Sequence, residues 1–195
     1  CQLGRLGEVA NLVKEKYLGK HHNALPLLDL SRIPRKSLAI LEFGTPDEIT
    51  TSRIISKKGD ILFGSIRPYF HKVVIAPCNL VTNISVFVIR ASSIPQSFLV
   101  CLLFSDEMVA WASQNSGGTK MPVIKWDVLS NREILIPPNH ILEDFESKIS
   151  PILDCAMTRI LINMNLHRTR DLLLPKLISG ELDVSDVNIK TGDDE

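Results

Sequence analysis

The sequence predicts a mixed α/β globular domain followed by a long C-terminal helix that can form a coiled coil. Three observations predict this class: short runs of Val, Ile and Phe between turn residues, one stretch of helical spacing among them, and a heptad pattern near the end of the chain. With 195 residues, 45% of them hydrophobic, the chain can bury a core of ordinary size. We therefore expect a domain over residues 1–138, a helix over 139–180 and a flexible acidic tail over 181–195.

The first part of the chain predicts a series of short elements. Residues 6–13 alternate weakly in polarity and fit either a helix or a strand, whereas residues 21–34 have the composition of a loop. Strands are indicated where Val, Ile and Phe lie between Gly, Pro, Asn and Ser, and Gly59 supplies a turn before the second of them. The predicted strands cover residues 53–56, 60–63, 72–76 and 84–89.

The spacing of apolar residues changes after these strands. Residues 95–113 place apolar side chains at helical intervals, which predicts a helix. A polar, glycine-rich loop follows at residues 114–120, and then come a short helical turn at 127–129 and a last strand at 133–137. The prolines Pro137 and Pro138 mark the end of the domain.

The C-terminal part carries a heptad pattern. Asn139 can cap a helix, and steps of alternately three and four residues then give a seam of about five heptads, roughly 50 Å long at 1.5 Å per residue. Asn163 and Arg170 within the seam would fix the pairing register at some cost in stability. The seam consists of Leu142, Phe145, Ile149, Ile152, Ala156, Arg159, Asn163, Leu166, Arg170, Leu173 and Leu177.

A second apolar stripe runs beside this seam. It consists of Leu153, Met157, Ile160 and Met164. A single partner would cover only one stripe, so we expect the helix to be covered on two sides. The length of the seam favours a helical partner, and folding of the helix back on its own domain is the alternative. Pro151 should kink or break the helix near residue 150, and Pro175 with Gly180 should end it.

A formal net charge of zero conceals an uneven charge distribution. Residues 1–138 hold 16 Lys and Arg against 11 Asp and Glu, and residues 139–195 hold 6 against 11. A mildly basic domain permits contact with DNA without requiring it. The four cysteines form no Cys-x-x-Cys pair, which argues against a disulfide framework or zinc site and favours a reducing cytoplasm. No run of 18 apolar residues predicts a membrane span.

No arrangement of residues predicts catalysis. An amino-methyltransferase holds a flipped base with a loop of Asn or Asp, two prolines and an aromatic residue. The nearest match is Ile136-Pro137-Pro138-Asn139, which has the wrong residue on each side of the prolines. No Gly-rich loop follows a strand in the manner of a cofactor-binding fold, and the five histidines show no metal-ligand spacing. We therefore expect a binding protein with no catalytic residue, metal or cofactor.

The first candidate binding segment is a rigid corner after the second predicted strand. Arg67 precedes Pro68 and should be extended, from where it could reach a base edge or phosphate or else pair with a carboxylate. Tyr69 could stack or hydrogen-bond at a DNA groove, with packing at the rim of the core as the alternative. We expect Lys72 to be solvated or to face a phosphate.

The second candidate segment is the glycine-rich loop. Its consecutive small residues should expose backbone N–H groups, and its last two residues add a hydroxyl and a cation. This combination suits contact with phosphate. The loop residues are Ser116, Gly117, Gly118, Thr119 and Lys120.

Four segments, in their order and spacing, resemble one protein family. They are Leu6-Gly7-Glu8-Val9-Ala10; Gly59-Asp60-Ile61-Leu62-Phe63 with Arg67-Pro68-Tyr69 and Lys72-Val73; Gly117-Gly118-Thr119 with Ile124, Trp126, Leu129 and residues 134–138; and Leu166 with Arg170-Asp171, Leu173-Leu174-Pro175-Lys176-Leu177 and Ser179-Gly180. The chain is thereby similar to the DNA-specificity subunit of type I restriction–modification enzymes.

The resemblance implies a division of labour. Residues 1–138 would be a target-recognition domain that reads one half of a bipartite site in double-stranded DNA, without catalysis. The long helix would pair antiparallel with the helix of a second recognition domain or of an identical chain, and so act as a spacer between half-sites. It would also dock methyltransferase subunits, and a restriction subunit could join them.

The chain departs from the family in having one recognition domain and one helix where the family usually has two of each. It would be one half of a longer subunit or a half-size subunit that dimerises, and Cys1 in place of an initiator Met favours the former. Two other functions remain open: the recognition part of a fused restriction–methyltransferase enzyme, and an assembly module that uses the helix without binding DNA.

Overall fold

The computed structural model describes residues 1–17, 25–45 and 52–182, so most of the expected tail, residues 183–195, lies outside the described residues. The mixed α/β class with a long C-terminal helix is confirmed. In chain order the elements are β1 (Gln2–Arg5), α1 (Leu6–Val9), β2 (Ala10–Leu12), β3 (Arg53–Ser56), β4 (Ile61–Gly64), a 3-10 turn (Pro68–Phe70), β5 (Val73–Ile75), β6 (Leu80–Asn83), β7 (Val86–Ala91), α2 (Gln96–Phe104), α3 (Asp106–Gln114), α4 (Trp126–Ser130), β8 (Glu133–Ile136) and α5 (Asn139–Ile178).

A four-stranded antiparallel sheet, in the order β2-β7-β4-β5, forms the centre of the domain. Ile61 of β4 lies opposite Ile89 of β7 and Ile75 of β5. Side chains alternate across a strand, so Ile61 and Phe63 enter one apolar cluster while Leu62 enters the other. Burial on both faces explains why β4 has an uninterrupted apolar sequence.

Two small antiparallel sheets flank the central one, β1 with β8 and β3 with β6. The sequence does not predict β1 or β6, each of which is four residues long. The sequence fits either a helix or a strand over residues 6–13, and the structure contains both, because α1 is followed directly by β2. The strand expected at residues 84–89 is displaced to Val86–Ala91.

The helix expected over residues 95–113 is divided into α2 and α3 at Ser105. The backbone of Ser105 is extended, at φ −66° and ψ 145°, and its hydroxyl accepts a hydrogen bond from the Met108 N–H at 3.1 Å. A serine in this position caps the start of a helix, and Asp106 and Glu107 in the first turn add a favourable interaction with the helix dipole. The cap therefore separates two helices that apolar spacing alone would join.

Helix α5 covers nearly the whole of the predicted range 139–180 and is less interrupted than the sequence predicts. It begins after Pro138 with no side-chain cap, so the expected capping by Asn139 is wrong. It also runs through Pro151 and continues past Pro175 to Ile178, so neither proline ends it, and Gly180 follows in a left-handed conformation at φ +72°. Pro151 is exposed, so water can satisfy the carbonyl that its missing N–H leaves without a helical partner.

The two apolar stripes of α5 take different positions. Met157 belongs to the apolar cluster that contains Phe63, and Ile160 to the cluster that contains Leu62, so the second stripe packs on the domain of its own chain. The heptad seam starts at the same surface but turns away from it, because a straight helix drifts by about 20° per heptad relative to a 3.5-residue repeat. Ile152 and Leu166 are both 61% exposed.

The residues of the predicted seam divide accordingly. Near the domain, the Phe145 ring meets Phe98 of α2 edge-on at 5.9 Å, and the neighbouring Glu146 carboxylate accepts a hydrogen bond from the Ser97 hydroxyl. Folding back on the domain, the alternative to a helical partner, therefore describes α5 only as far as Met164, the last of its residues in the apolar clusters. Leu142 is buried; Phe145, Ile149 and Ala156 are half-buried; Ile152, Arg159, Asn163, Leu166, Arg170, Leu173 and Leu177 are exposed.

Candidate nucleic-acid interface

The corner between β4 and β5 is built around the 3-10 turn Pro68–Phe70. Arg67 and His71 bracket the turn, and both are left-handed, at φ 50° and φ 51°. The expectation that Arg67 is extended is therefore wrong. Its N–H donates to the Pro122 carbonyl at 2.7 Å and its carbonyl accepts from the Phe70 N–H at 2.9 Å, and these bonds outweigh the local preference of a residue before proline.

Backbone strain is concentrated at this corner. Among the described residues, the non-glycine residues with positive φ are Lys36, Arg67 and His71. Lys36 joins the other two in space, because its N–H donates to the His71 carbonyl at 2.8 Å. A left-handed conformation costs an L-residue about 1–2 kcal/mol, and such strain clusters at binding and catalytic sites. The corner is thus a functional candidate on geometry as well as on sequence.

The glycine-rich loop forms a small hairpin after α3. Gly117 and Val123 exchange two backbone hydrogen bonds, at 3.0 and 2.8 Å, and Gly118 has φ +101°. In the described part of the chain, the amides of Gly118, Thr119 and Lys120 make no backbone hydrogen bond, and all three residues are exposed. The tip of the loop therefore offers N–H donors, as expected.

The base of this loop is less available than its tip. Ser116 is half-buried and its hydroxyl donates to the Ala112 carbonyl at 2.7 Å, which closes the last turn of α3. The Gly117 amide is occupied by Val123 at 3.0 Å. These two residues hold the loop in place, and Thr119 and Lys120 carry a hydroxyl and a cation that have no partner among the described residues.

The structure brings the corner and the loop together. Three backbone contacts join them: Arg67 N–H to the Pro122 carbonyl at 2.7 Å, Ile124 N–H to the Ser65 carbonyl at 2.9 Å, and a bridge between Ile66 and Val123. Residues 122–124 of the loop thus pair antiparallel with residues 65–67, which lead from β4 into the corner. Two segments about 50 residues apart in sequence share one surface.

Two side chains at the corner are placed for contact with a ligand. Tyr69 is 54% exposed and meets Phe70 edge-on at 4.7 Å. Arg67 is half-buried, and within the described residues its Nε atom is buried without a hydrogen-bond partner. Tyrosine hydroxyl and arginine N–H groups are donors to phosphate oxygens and to base edges.

Lys72 differs from the expectation of a solvated cation. Its Nζ donates to the Leu30 carbonyl at 2.5 Å and to the Ser31 carbonyl at 3.2 Å. Burial, and secondly the charge of Arg35, lower the pKa of the Lys72 ammonium. Lys72 therefore fastens the segment around residues 30–36 to the corner. Contact between Lys72 and DNA stays a prediction.

The fastened segment adds two cations that the sequence did not single out. The guanidinium carbon of Arg35 lies 3.9 Å from the centroid of the Phe70 ring. Lys36 Nζ lies 2.9 Å from Asp106 Oδ2, and His71 Nδ1 lies 3.4 Å from the other oxygen of the same carboxylate. The adjacent basic residues in a loop were a signal of exposure, but only the tertiary structure places them beside Tyr69.

The Gly59-Asp60 part of the motif has a structural role. Asp60 is buried and accepts hydrogen bonds from Arg90 Nε at 2.6 Å, from Arg90 Nη2 at 2.8 Å and from the Lys57 N–H at 2.7 Å. This pair joins the turn before β4 to the neighbouring strand β7. It lies at the opposite end of β4 from the corner, and it stabilises the sheet that presents the corner.

A second surface feature lies between residues 31–43 and the outer half of α5. It is an open groove of about 1270 Å³ whose walls include Arg32, Phe43 and Met164. Seam residues on this part of α5 are also exposed, among them Leu166 and Leu173.

Two kinds of site are not seen in the described residues. No group of three or more His, Cys, Asp or Glu side chains there is placed to hold a metal ion. None of the helices in the described ranges combines the length and the hydropathy that a membrane span requires.

Curated relatives share part of this sequence. The chain is 35% identical over 91 residues to the specificity subunit of the type I restriction enzyme MjaIX of Methanocaldococcus jannaschii, an alignment that covers 46% of this chain and 20% of the relative. It is 34% identical over 67 residues to the HindI specificity subunit of Haemophilus influenzae, covering 34% and 15%. The matched region is thus a fifth or less of each relative. No protein-family model matches the chain.

Solved structures share its fold. One is a chain from a structural study of complex assembly and conformational transition in the type I R-M system, with a TM-score of 0.63 at 20% identity over 100% of this chain and 51% of that one. Another is the HsdS subunit from Thermoanaerobacter tengcongensis, with a TM-score of 0.53 at 15% identity over 93% and 45%. The chain spans about half the length of these proteins.

Proposed function

We propose that this chain, a relative of the specificity subunits of type I restriction enzymes, recognises DNA and does not itself catalyse a reaction. Its domain reads one half of a bipartite site in double-stranded DNA. Its helix positions a methyltransferase subunit, which a restriction subunit can join, in the cytoplasm. The order of the sequence motifs, the relatives and the fold all support this function.

One observation carries the proposal: the backbone ladder that joins the Arg-Pro-Tyr corner to the Gly-Gly-Thr-Lys loop. It would present Arg67, Tyr69, Thr119 and Lys120 to DNA together with the amides at the loop tip. Phosphate contacts would come from the loop amides and Lys120, and base-edge contacts from Arg67 or Tyr69. Lys72, Ser116, Gly117 and Gly118 would support this surface from beneath.

The exposed seam of α5 supports the second half of the proposal. Ile152, Leu166, Leu173 and Leu177 of the seam are exposed, on a helix whose other stripe packs against the domain. A helix from a second recognition domain, or from an identical chain, would cover the seam in antiparallel pairing. Asn163 and Arg170 within it would fix the register.

The test is to sequence methylated adenines in cells that express this chain with a matching methyltransferase subunit. An interrupted palindromic motif would show that the chain reads DNA as a dimer of half-subunits. An asymmetric motif that requires another recognition half would show that it is one half of a longer subunit. A stable complex without methylation would contradict DNA recognition and favour an assembly module.

A paired substitution tests the surface itself. Thr119→Ala with Lys120→Ala should reduce methylation of the motif while the complex with the methyltransferase subunit still forms. Leu166→Ala with Leu173→Ala should do the opposite and weaken assembly first. If both variants lose methylation with assembly intact, or both lose assembly, then the assignment of the loop to DNA binding and of the seam to assembly is wrong.

A further inference from the structure

We propose that Arg35 is a further DNA-contacting residue, that it binds a backbone phosphate, and that Lys72 and Phe70 position it. This inference rests on the proposed function and adds a residue that neither the sequence motifs nor the relatives' names assign. It follows from the geometry of the segment that Lys72 holds against the corner.

The Arg35 guanidinium packs against an aromatic ring and keeps its hydrogen-bond donors available. Its carbon lies over the Phe70 ring, 3.9 Å from the centroid, in a cation–π contact. Arg35 is exposed and, among the described residues, forms no ion pair with a carboxylate. Since the N–H donors of a guanidinium point outward in its plane, this contact fixes the group and leaves its donors free.

Arg35 and its neighbour Lys36 differ in their ionic contacts. Lys36 Nζ lies 2.9 Å from Asp106 Oδ2, so its charge is offset by a carboxylate on the same surface. Arg35 has no such counter-ion in the described part of the chain. Arg35 is therefore the residue of this segment that is free to meet an anion.

Arg35 lies beside Tyr69 of the proposed DNA surface. Tyr69 meets Phe70 edge-on at 4.7 Å, while Arg35 covers the face of the same Phe70 ring. Arg35, Tyr69 and Phe70 line one shallow surface depression. A duplex that contacts Tyr69 would bring its backbone to Arg35.

Hydrogen bonds on both sides of Arg35 hold its segment against the corner. Lys72 Nζ binds the Leu30 and Ser31 carbonyls at 2.5 and 3.2 Å, and the Lys36 N–H donates to the His71 carbonyl at 2.8 Å. These bonds fix the segment on both sides of Arg35. Lys72 thus acts through the position of Arg35 rather than through its own charge, and it is a positioning residue.

A phosphate is the ligand that this arrangement suits. The planar fork of a guanidinium matches two phosphate oxygens, and a fork held over a ring loses little side-chain freedom on binding. Contact with the backbone carries no sequence information, so it would act on every duplex. Arg35 would then contribute to the affinity for DNA and to the position of the domain on the duplex, while other residues read the recognised bases.

The experiment measures binding of the full chain to a fixed 40-base-pair duplex over a range of salt concentrations. Arg35→Gln should lower the slope of log K against log salt by about 0.9, the contribution of one phosphate contact, which corresponds to about eightfold weaker binding at 0.1 M salt. Lys58→Gln is the matched control, because exposed Lys58 lies at the opposite end of β4. It should leave the slope unchanged.

A double-mutant cycle tests the role of Lys72. Lys72→Met should weaken binding in the original chain and have no further effect once Arg35 is Gln. Equal effects of Lys72→Met in both backgrounds would overturn the positioning role, and an unchanged salt slope in Arg35→Gln would overturn the contact. If the original chain does not bind the duplex even at low salt, the proposed function itself fails.

Discussion

Helix α5 gives the sharpest test of the fold, because its two apolar stripes should respond differently to the same kind of substitution. Met157 is 5% exposed and belongs to the cluster that contains Leu99 and Leu103 of α2. Leu166 lies nine residues further along the same helix and is 61% exposed. Substitution of each by Ala removes a large apolar side chain and keeps a strong helix former.

The expected magnitudes follow from burial. A fully buried Met or Leu replaced by Ala typically costs 2–5 kcal/mol, so Met157→Ala should lower the free energy of unfolding by about 3 kcal/mol. For a chain of this size, 1 kcal/mol corresponds to about 2–4 °C in Tm, which gives a fall of about 6–12 °C. Leu166→Ala should stay within about 0.5 kcal/mol of the original chain, since exposed substitutions seldom do more.

Thermal unfolding followed by circular dichroism at low protein concentration measures both variants, and sedimentation velocity reports association through the seam. Met157→Ala should lower the Tm without changing the association constant. Leu166→Ala should lower the association constant without changing the Tm. Equal falls in Tm for both variants would refute the division of the helix into an inner and an outer stripe. An unchanged Tm for Met157→Ala would refute the packing of α5 on the domain.

Three further predictions concern positions where the structure assigns a specific physical role. Asp60→Asn should cost about 2–3 kcal/mol in urea unfolding, because it weakens three hydrogen bonds to a buried carboxylate; a loss below 0.5 kcal/mol would contradict that role. Gly118→Ala should cost about 1–2 kcal/mol and weaken duplex binding, since φ is +101° and a Cβ would lie 3.0 Å from the Met121 carbonyl oxygen. Gly117→Ala, with open space around it, is the control for stability and should leave the Tm unchanged. Ser105→Ala should cost about 1 kcal/mol through loss of the cap of α3, and an unchanged Tm would contradict the capping role.

The sequence by itself determined the class of the fold and most of its regular elements. The apolar segments that became β3, β4, β5 and β8 are bounded by turn residues, and a strand of this kind needs only its own pattern to be recognised. The heptad spacing likewise determined the long helix, and the order of the motifs determined the family resemblance, which the relatives confirm. These features are local, or depend on spacing along the chain.

Local sequence patterns gave wrong predictions where a nearby side chain or a distant hydrogen-bond partner determined the backbone conformation. Apolar spacing did not reveal the break at Ser105, because one hydroxyl bond to Met108 sets it. The preference of a residue before proline did not give the left-handed Arg67, because the bond to Pro122 comes from a loop more than 50 residues away. Pro151 did not break α5, because the lost hydrogen bond lies on the exposed side of a helix that Met157 and Ile160 hold against the core.

The candidate site was accordingly half visible in the sequence. The motifs identified the Arg-Pro-Tyr corner and the glycine-rich loop, since such residues carry their chemistry wherever they fold. Only the tertiary structure joined the two by the ladder at Arg67 and Pro122, turned Lys72 inward onto two carbonyls, and set Arg35 on the Phe70 ring. Those outcomes depend on which backbone groups find hydrogen-bond partners when distant segments pack together, and spacing along the chain does not contain that information.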